Sequence, residues 1–146
     1  MAARINGKSN LVLGNSETFL DHAWADTSLA VEGYQRYRAD RPFAQGGGLL
    51  VYAPTHLAVK RRFDLELEGI ESIWLEFNFP RSSPILVCFV YRAPSEFISY
   101  LTLLEDMISR ANFQVNTKFI VTGALNFDLL GSPRPCSTKS FFNIFQ

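Results

Sequence analysis

Three short segments of the chain carry side chains that suit contact with a phosphate or a metal ion. Glu17 follows a predicted strand directly, a place where α/β proteins commonly carry metal ligands. Tyr91 and Arg92 end a strongly apolar run; a tyrosine hydroxyl can hydrogen-bond a phosphate oxygen, and an arginine can bind it as a fork. Asn126 and Asp128 follow another apolar run that ends in glycine, and the Asn126 amide could orient a water molecule or a phosphate.

Each segment also has an ordinary structural interpretation. Glu17 could be a solvated loop carboxylate or an acid at the start of a helix, where the helix dipole favours it. Tyr91 could close the core with Arg92 exposed, and Asn126 and Asp128 could cap backbone groups of a turn. For each segment taken alone, this interpretation is the better supported one.

The elements that must position these residues are mostly strands, with one central helix. Apolar runs and alternation predict strands at residues 10–14, 31–38, 49–52, 57–61, 71–79, 85–91 and 118–122. Ser95 is a suitable N-cap for an amphipathic helix at 95–111, and a second amphipathic helix begins at 138. Several strands followed by a strand–helix–strand unit predict an α/β sandwich with the sheet inside and the helix outside.

The predicted strands differ in how deeply they should be buried. In 71–79 the residues alternate, with Leu75 on one face and Trp74 on the other, which is the period of a half-buried strand. The run 85–91 is apolar throughout, as expected of a central strand covered on both faces. Residues 118–122, Lys-Phe-Ile-Val-Thr, predict a second buried strand.

Composition and charge limit the classes of protein that the chain can belong to. It has 146 residues, 47% of them hydrophobic, which are the proportions of a folded domain. Lys+Arg and Asp+Glu are both 14, so a uniformly basic nucleic-acid clamp is excluded, although a local patch is not. Two cysteines exclude a disulfide scaffold and a four-cysteine zinc site. Cys88 lies in an apolar run and should be a core residue; a disulfide with Cys136 stays open as an alternative.

No segment of the sequence predicts a membrane protein. The longest apolar runs are far shorter than the ~20 residues that a spanning helix needs. The apolar stretch Leu11-Val12-Leu13 near the N-terminus is too short for the core of a signal peptide. We therefore expect an intracellular protein without a membrane partner, with the nucleus as one option.

A basic patch between residues 36 and 62 is the candidate surface for DNA. It holds six basic residues and one acid, Asp40. Arg61 and Arg62 are its candidate phosphate contacts, since such a patch can touch phosphates without regard to sequence. The alternative is a pair of solvated edge strands balanced by the acids that follow, Asp64, Glu66, Glu68 and Glu71. His22 and His56 are expected to be surface residues.

Taken together and in order, these segments resemble the exonuclease–endonuclease–phosphatase superfamily, and most closely the endonuclease domain of non-LTR retrotransposons. The motifs that carry the likeness are Ser16-Glu17-Thr18-Phe19-Leu20, Gly33-Tyr34, Arg38, Asp40-Arg41, Gly46-Gly47-Gly48, Trp74-Leu75-Glu76, Val90-Tyr91-Arg92-Ala93-Pro94 and Gly123-Ala124-Leu125-Asn126-Phe127-Asp128-Leu129. They cover the chain from about Leu11 onward. Their combined order is fairly specific, although no single motif is.

The resemblance implies a two-sheet α/β sandwich that cleaves DNA phosphodiester bonds with Mg²⁺ as its cofactor. By that likeness Glu17 holds the metal, Tyr91 contacts the scissile phosphate, and Asn126 helps to orient the attacking water or the phosphate. Mg²⁺ prefers carboxylate and water oxygens in octahedral geometry, which one glutamate and waters can supply. The implied partner is DNA, and no obligate protein partner is indicated.

The main departure from the family pattern is Ala124, at the position of the aspartate that orients or deprotonates the attacking water. Loss of a positioned general base costs roughly 10²–10⁴-fold in rate. The family's early asparagine, its late aspartate and its Asp-His pair also have no counterpart here. We therefore expect a partial domain at 10–146, incomplete at both ends, after a poorly determined segment at 1–9.

Catalytic residues of such a site act as a unit, so several absences together should leave activity weak or absent. The alternative is a non-catalytic fragment, or a DNA-binding remnant with no enzymatic role.

Overall fold

Strands dominate the described part of the chain, which comprises residues 10–41, 46–93, 99–114 and 117–126 of a computed structural model. The strands there are β1 (Leu13–Ser16), β2 (Tyr34–Ala39), β3 (Leu49–Pro54), β4 (Ala58–Arg61), β5 (Glu71–Asn78), β6 (Ile85–Tyr91) and β7 (Lys118–Ala124). The helix α1 (Ser99–Asn112) lies between β6 and β7 in the chain. Short 3-10 helices occur at Asp26–Leu29 and Phe63–Leu65.

The strands form two sheets. The smaller has the order β1-β3-β2 and is antiparallel throughout. The larger has the order β4-β5-β6-β7, in which only the β6–β7 pair is parallel. Because two parallel strands cannot be joined by a tight turn, the chain crosses between them through α1. This arrangement confirms the predicted strand–helix–strand unit. Among the described residues, β4 forms one edge of the larger sheet.

The two sheets face each other across an apolar layer. Its buried side chains come from β3, β5 and the end of β6, namely Leu49, Val51, Ala53, Ile73, Leu75, Phe77 and Tyr91. Removal of this apolar surface from water is the main driving force for bringing the sheets together. The fold is therefore a two-sheet α/β sandwich, as the sequence predicts.

The helix α1 covers the other face of the larger sheet. Four residues at helical spacing, Leu101, Leu104, Ile108 and Ala111, are buried, which confirms the amphipathic pattern. They meet buried side chains of β5 and β6, namely Trp74, Leu86, Cys88 and Val90. The buried residues of β5 and β6 that point away from the smaller sheet thus point toward the helix.

Three predictions about the strands are wrong. The strand at 71–79 is covered on both faces, because α1 buries Trp74 as deeply as the smaller sheet buries Leu75. The strand predicted as buried at 118–122 is exposed on one face, with Ile120 54% exposed. In the described residues β7 has a neighbour on one side only, so it forms the edge of its sheet. The first strand begins at Leu13 rather than at residue 10.

Several predictions lie outside the described residues: the segment 1–9, the N-cap Ser95, Asp128, Cys136 and the helix beginning at 138. Cys88 is a buried free thiol, as expected of a core residue, and burial raises its pKa. Both histidines are exposed, as predicted. No helix in the described ranges is long and apolar enough to cross a membrane.

Candidate functional site

The loop after β1 meets the end of β6. The Tyr91 hydroxyl donates a hydrogen bond of 2.7 Å to Oε1 of Glu17, which lies 74 positions earlier in the chain. Tyr91 is the last residue of β6 and is buried, whereas Glu17 directly follows β1 and is exposed. The sandwich therefore brings together the first two side chains that the sequence singles out.

The loop that carries Glu17 has an unusual backbone. Glu17 and Phe19 both have φ of 55°, in the left-handed region that non-glycine residues rarely occupy. The N–H groups of Thr18 and Phe19 donate to the carbonyls of Gly48 and Gly47, at 3.4 and 3.0 Å. A left-handed residue costs about 1–2 kcal/mol, so the glycine segment before β3 stabilises a strained loop.

An ion pair lies beside Tyr91. Glu71 is the cross-strand partner of Tyr91 between β5 and β6. Its Oε2 accepts a hydrogen bond of 2.7 Å from Nε of Arg41 and lies 2.7 Å from Nη2, and its Oε1 accepts the backbone N–H of Gly48. The Arg41 guanidinium lies over the Tyr91 ring, 5.7 Å from the ring centre. In the sequence analysis Glu71 is one of the acids that balance the basic patch. The sequence patterns do not place Arg41 at the site.

The glycines before β3 leave room for these side chains. A Cβ atom on Gly47 would lie 2.4 Å from Nε of Arg41, and one on Gly48 would lie 2.5 Å from the Thr18 hydroxyl oxygen. The backbone of both glycines has positive φ. The Gly46-Gly47-Gly48 motif thus fixes both the Glu17 loop and Arg41 against the end of the sandwich.

Asn126 and Arg92 bind each other's backbone rather than the Glu17–Tyr91 pair. The Asn126 amide donates to the Arg92 carbonyl at 2.6 Å. Nη1 of Arg92 donates to the carbonyls of Leu125 and Asn126 at 3.2 and 3.1 Å. Arg92 is only 9% exposed, contrary to the alternative in which it is a surface residue. Asn126 therefore caps a backbone group, as its structural interpretation in the sequence analysis describes.

Ala124 lies next to Tyr91. The two residues are cross-strand partners between β7 and β6, and both pack on the layer between the sheets. A side chain at position 124 therefore starts on the face of the sheet from which Tyr91 reaches Glu17. Ala124 supplies a methyl group there, which can neither accept a proton nor bind a metal.

The hydrogen bond to Glu17 is the largest cause that raises the pKa of Tyr91, and burial adds to it. The positive charge of Arg41 acts in the opposite direction without reversing the shift. The phenol therefore keeps its proton at neutral pH. In that state its hydroxyl can donate a hydrogen bond to a carboxylate or to a phosphate oxygen.

The arginines of the basic patch are engaged in ion pairs. Arg61 binds both oxygens of Glu66, at 2.8 and 2.9 Å. Arg62 binds Asp64 and Glu76, both with a closest distance of 2.6 Å. The remaining pairs of the patch are Arg36–Asp26, Arg38–Asp26, Arg38–Asp40 and Arg41–Glu71. These contacts agree with the alternative in which nearby acids balance the patch.

The donor set at the site contains one accessible carboxylate. Glu17 is exposed, and one of its oxygens accepts the Tyr91 hydroxyl, whereas Glu71 is held by Arg41 and Gly48. Among the described ranges, no three His, Cys, Asp or Glu side chains group closely enough to hold a metal ion. Mg²⁺ is often bound through one or two carboxylates together with waters and substrate phosphates, so Glu17 fits a shared ligand of that kind.

No family model matches the chain, and no curated protein matches it. A functional assignment therefore depends on the geometry around Glu17 and Tyr91 and on the order of the sequence motifs.

Proposed function

We propose that the chain is a divergent endonuclease/exonuclease/phosphatase-type domain derived from a non-LTR retrotransposon. Its ancestral activity is Mg²⁺-dependent cleavage of DNA phosphodiester bonds, and in this chain that activity is weak or absent. The observation that carries the proposal is the 2.7 Å hydrogen bond between Tyr91 and Glu17. These are the two residues that, by resemblance, contact the scissile phosphate and the metal.

Glu17 and Tyr91 would have different tasks at this site. Glu17 would hold Mg²⁺, which supplies Lewis-acid polarisation of a phosphoryl oxygen when bound. The protonated Tyr91 hydroxyl can donate to a phosphate oxygen. The hydroxyl must then leave the Glu17 oxygen and donate to the substrate oxygen instead. Both acceptors are negatively charged, so the same hydroxyl can donate to each of them.

Two features argue for impaired catalysis. Ala124, beside Tyr91 in the sheet, offers no acceptor for a proton from the attacking water. Asn126 donates its amide hydrogen to the Arg92 carbonyl, so that group is already engaged. A positioned general base contributes roughly 10²–10⁴-fold to rate, so its absence alone should lower activity by about that factor.

The alternative of a DNA-binding remnant has less support. All five arginines of the basic patch form ion pairs with carboxylates. A paired arginine contributes less to phosphate binding than an unpaired one, because the competing carboxylate must first be displaced.

The proposal is tested by nicking of supercoiled plasmid DNA in the presence and absence of Mg²⁺. The chain itself and Glu17→Ala are expected to show no Mg²⁺-dependent nicking above background. Ala124→Asp places a carboxylate beside Tyr91 and should raise nicking above the level of the unmodified chain. Adding Glu17→Ala to Ala124→Asp should remove that gain.

Two results would count against the proposal. A folded Ala124→Asp variant with no gain in nicking would count against a general base at position 124 and against this site as a nuclease centre. Nicking by the unmodified chain that disappears in Glu17→Ala would show that activity is not impaired. Circular dichroism of each variant separates these outcomes from loss of fold.

A further inference from the structure

Arg41 is the cation that lies beside the Glu17–Tyr91 pair. Its guanidinium carbon is 5.7 Å from the centre of the Tyr91 ring, and its side chain is 31% exposed. Arg92, the arginine that the sequence places next to Tyr91, is buried and donates to two main-chain carbonyls. A phosphate that approaches the Tyr91 hydroxyl would therefore meet the charge of Arg41 rather than that of Arg92.

The ion pair of Arg41 differs in its geometry from that of Arg61. Nε of Arg41 donates to Oε2 of Glu71, and its Nη2 lies 2.7 Å from the same oxygen. In contrast, Arg61 forms a two-oxygen fork with Glu66, and its Nη1 donates to the Arg38 carbonyl. Within the described residues, Nη1 of Arg41 donates no hydrogen bond. Part of the Arg41 fork is thus left for a further acceptor.

The surroundings hold the guanidinium in this position. Glu71 is itself fixed by the Gly48 N–H and by its place opposite Tyr91 in the sheet. Gly47 lets the Arg41 side chain lie against the backbone, because a Cβ there would be 2.4 Å from Nε. A guanidinium is planar, and its donors match the oxygens of a phosphate group. Because Glu71 holds one side of it, the remaining donors point in a fixed direction.

We propose that Arg41, positioned by Glu71, is the phosphate contact of this site and that its ligand is a phosphodiester group of DNA. The inference rests on the proposed function, since it deepens the role of the same site. It assigns the site's phosphate-binding charge to a residue outside the Arg61–Arg62 pair. Binding adds a phosphate oxygen to the exposed edge of the guanidinium while Glu71 keeps the opposite edge.

The test is binding of a short fluorescein-labelled DNA duplex, followed by fluorescence anisotropy in EDTA over a series of salt concentrations. Neutralising one phosphate contact changes the slope of log K against log[salt] by about 0.9. Arg41→Gln should therefore lower the slope by about one contact and the affinity about tenfold. Arg110→Gln is the matched control, since Arg110 is an ion-paired surface arginine on α1, and it should leave the slope unchanged.

Glu71 needs its own control because Arg41→Gln leaves its carboxylate without a partner. The double variant Arg41→Gln/Glu71→Gln has the net charge of the unmodified chain and should keep the reduced slope. Glu71→Gln alone should raise the affinity, because Arg41 then has no competing carboxylate. A double variant that binds as the unmodified chain does, or a chain that binds no duplex at low salt, would overturn the proposal.

The two proposals fail separately. The salt slope is measured in EDTA, so it requires neither Mg²⁺ nor cleavage. A salt slope lowered in Arg41→Gln, with no nicking by Ala124→Asp, would support the Arg41 contact and count against the nuclease proposal. Nicking by Ala124→Asp, with an unchanged salt slope in Arg41→Gln, would support the nuclease proposal and reject the Arg41 contact.

Discussion

The Tyr91 hydroxyl and the Glu17 carboxylate join the two sheets at one end of the sandwich. Tyr91 ends a strand of the larger sheet, and Glu17 follows a strand of the smaller one. Their 2.7 Å hydrogen bond connects Tyr91, a residue that is 4% exposed, to Glu17, which is exposed to solvent. The contact is therefore both a structural link and the centre of the candidate site.

Tyr91→Phe should lower the free energy of unfolding by about 1 kcal/mol, measured by urea denaturation. Hydrogen bonds to charged groups are worth more than neutral ones, but exposed Glu17 regains water when its donor is removed. Glu17→Gln keeps an acceptor and should cost less. In the Tyr91→Phe background Glu17→Gln should have no further effect, and additive losses in the double variant would show that the contact contributes nothing.

Alkaline unfolding should depend on the same contact. The hydrogen bond to Glu17, followed by burial, raises the pKa of Tyr91 in the folded protein above the ordinary value of 10.0. Between the unfolded and folded pKa values the unfolded chain has lost this proton and the folded chain keeps it, so stability falls as the pH rises. Tyr91→Phe should make that fall shallower in urea denaturation curves recorded above pH 10.

Tyr37 provides the comparison for the alkaline experiment, since burial alone raises its pKa. Tyr37→Phe should also make the fall shallower, but this effect should persist when Glu17 is replaced by Gln. The Tyr91→Phe effect should be smaller in that background. An equal Tyr91 effect with and without Glu17 would assign the whole shift to burial.

Acid unfolding should report the pairs of Arg62. The hydrogen bond from Arg62 lowers the pKa of Asp64. At Glu76 burial is the largest single cause and raises the pKa, but the hydrogen bonds from Arg62 and Asn78, together with nearby positive charge, outweigh it. A lowered pKa contributes stability above the ordinary value that is lost as the pH falls through the lowered one. Arg62→Gln should therefore cost about 1–2 kcal/mol at neutral pH and progressively less below pH 3.8.

Arg110→Gln is the reference for the Arg62 prediction. Arg110 pairs with Asp106 one turn away on the surface of α1, and an exposed pair of this kind contributes little. Its removal should leave the acid limb of the stability curve nearly unchanged. The difference in free energy of unfolding between Arg62→Gln and the unmodified chain should shrink at acid pH. If it stays constant from neutral to acid pH, lost packing rather than lost charge explains the effect.

Periodicity predicts the fold correctly where the burial of an element can be read from its own sequence. The apolar run of β6 and the helical spacing of Leu104 and Ile108 each report one set of neighbours, and both predictions are confirmed. The failures have a common origin. Trp74 is buried by a helix and Ile120 is exposed at an edge, and both depend on which element covers a strand, which the strand's own sequence does not encode.

The site was predictable only in part, for a related reason. Residues at strand ends, such as Glu17 and Tyr91, can be nominated because strand ends in an α/β sandwich converge. The Arg41–Glu71 pair depends on the register that sets Glu71 opposite Tyr91. Register follows from how the buried faces and turns of two paired strands match, which neither strand shows on its own. The position of Arg92 could not be predicted either. Tyr91 faces the site, whereas the guanidinium of Arg92 donates to the backbone carbonyl of Asn126.

Gly47→Ala should destabilise the protein by two separable effects. A Cβ at positive φ costs about 1–2 kcal/mol wherever it occurs. Gly33 has φ of 81°, and a Cβ added there would have no atom within 4 Å, so Gly33→Ala should show that cost alone. Gly47 has φ of 84°, and its Cβ would meet Nε of Arg41 at 2.4 Å, so Gly47→Ala should cost about 1 kcal/mol more.

The extra cost should vanish when Arg41 is absent. In an Arg41→Ala background the change Gly47→Ala should cost what Gly33→Ala costs, measured as the free energy of unfolding in urea. The anisotropy slope of Gly47→Ala should at the same time fall to that of Arg41→Gln, since a displaced guanidinium can no longer hold a phosphate. If Gly47→Ala and Gly33→Ala cost the same in the unmodified background, Arg41 is not packed against this backbone, and its position at the site would have to be abandoned.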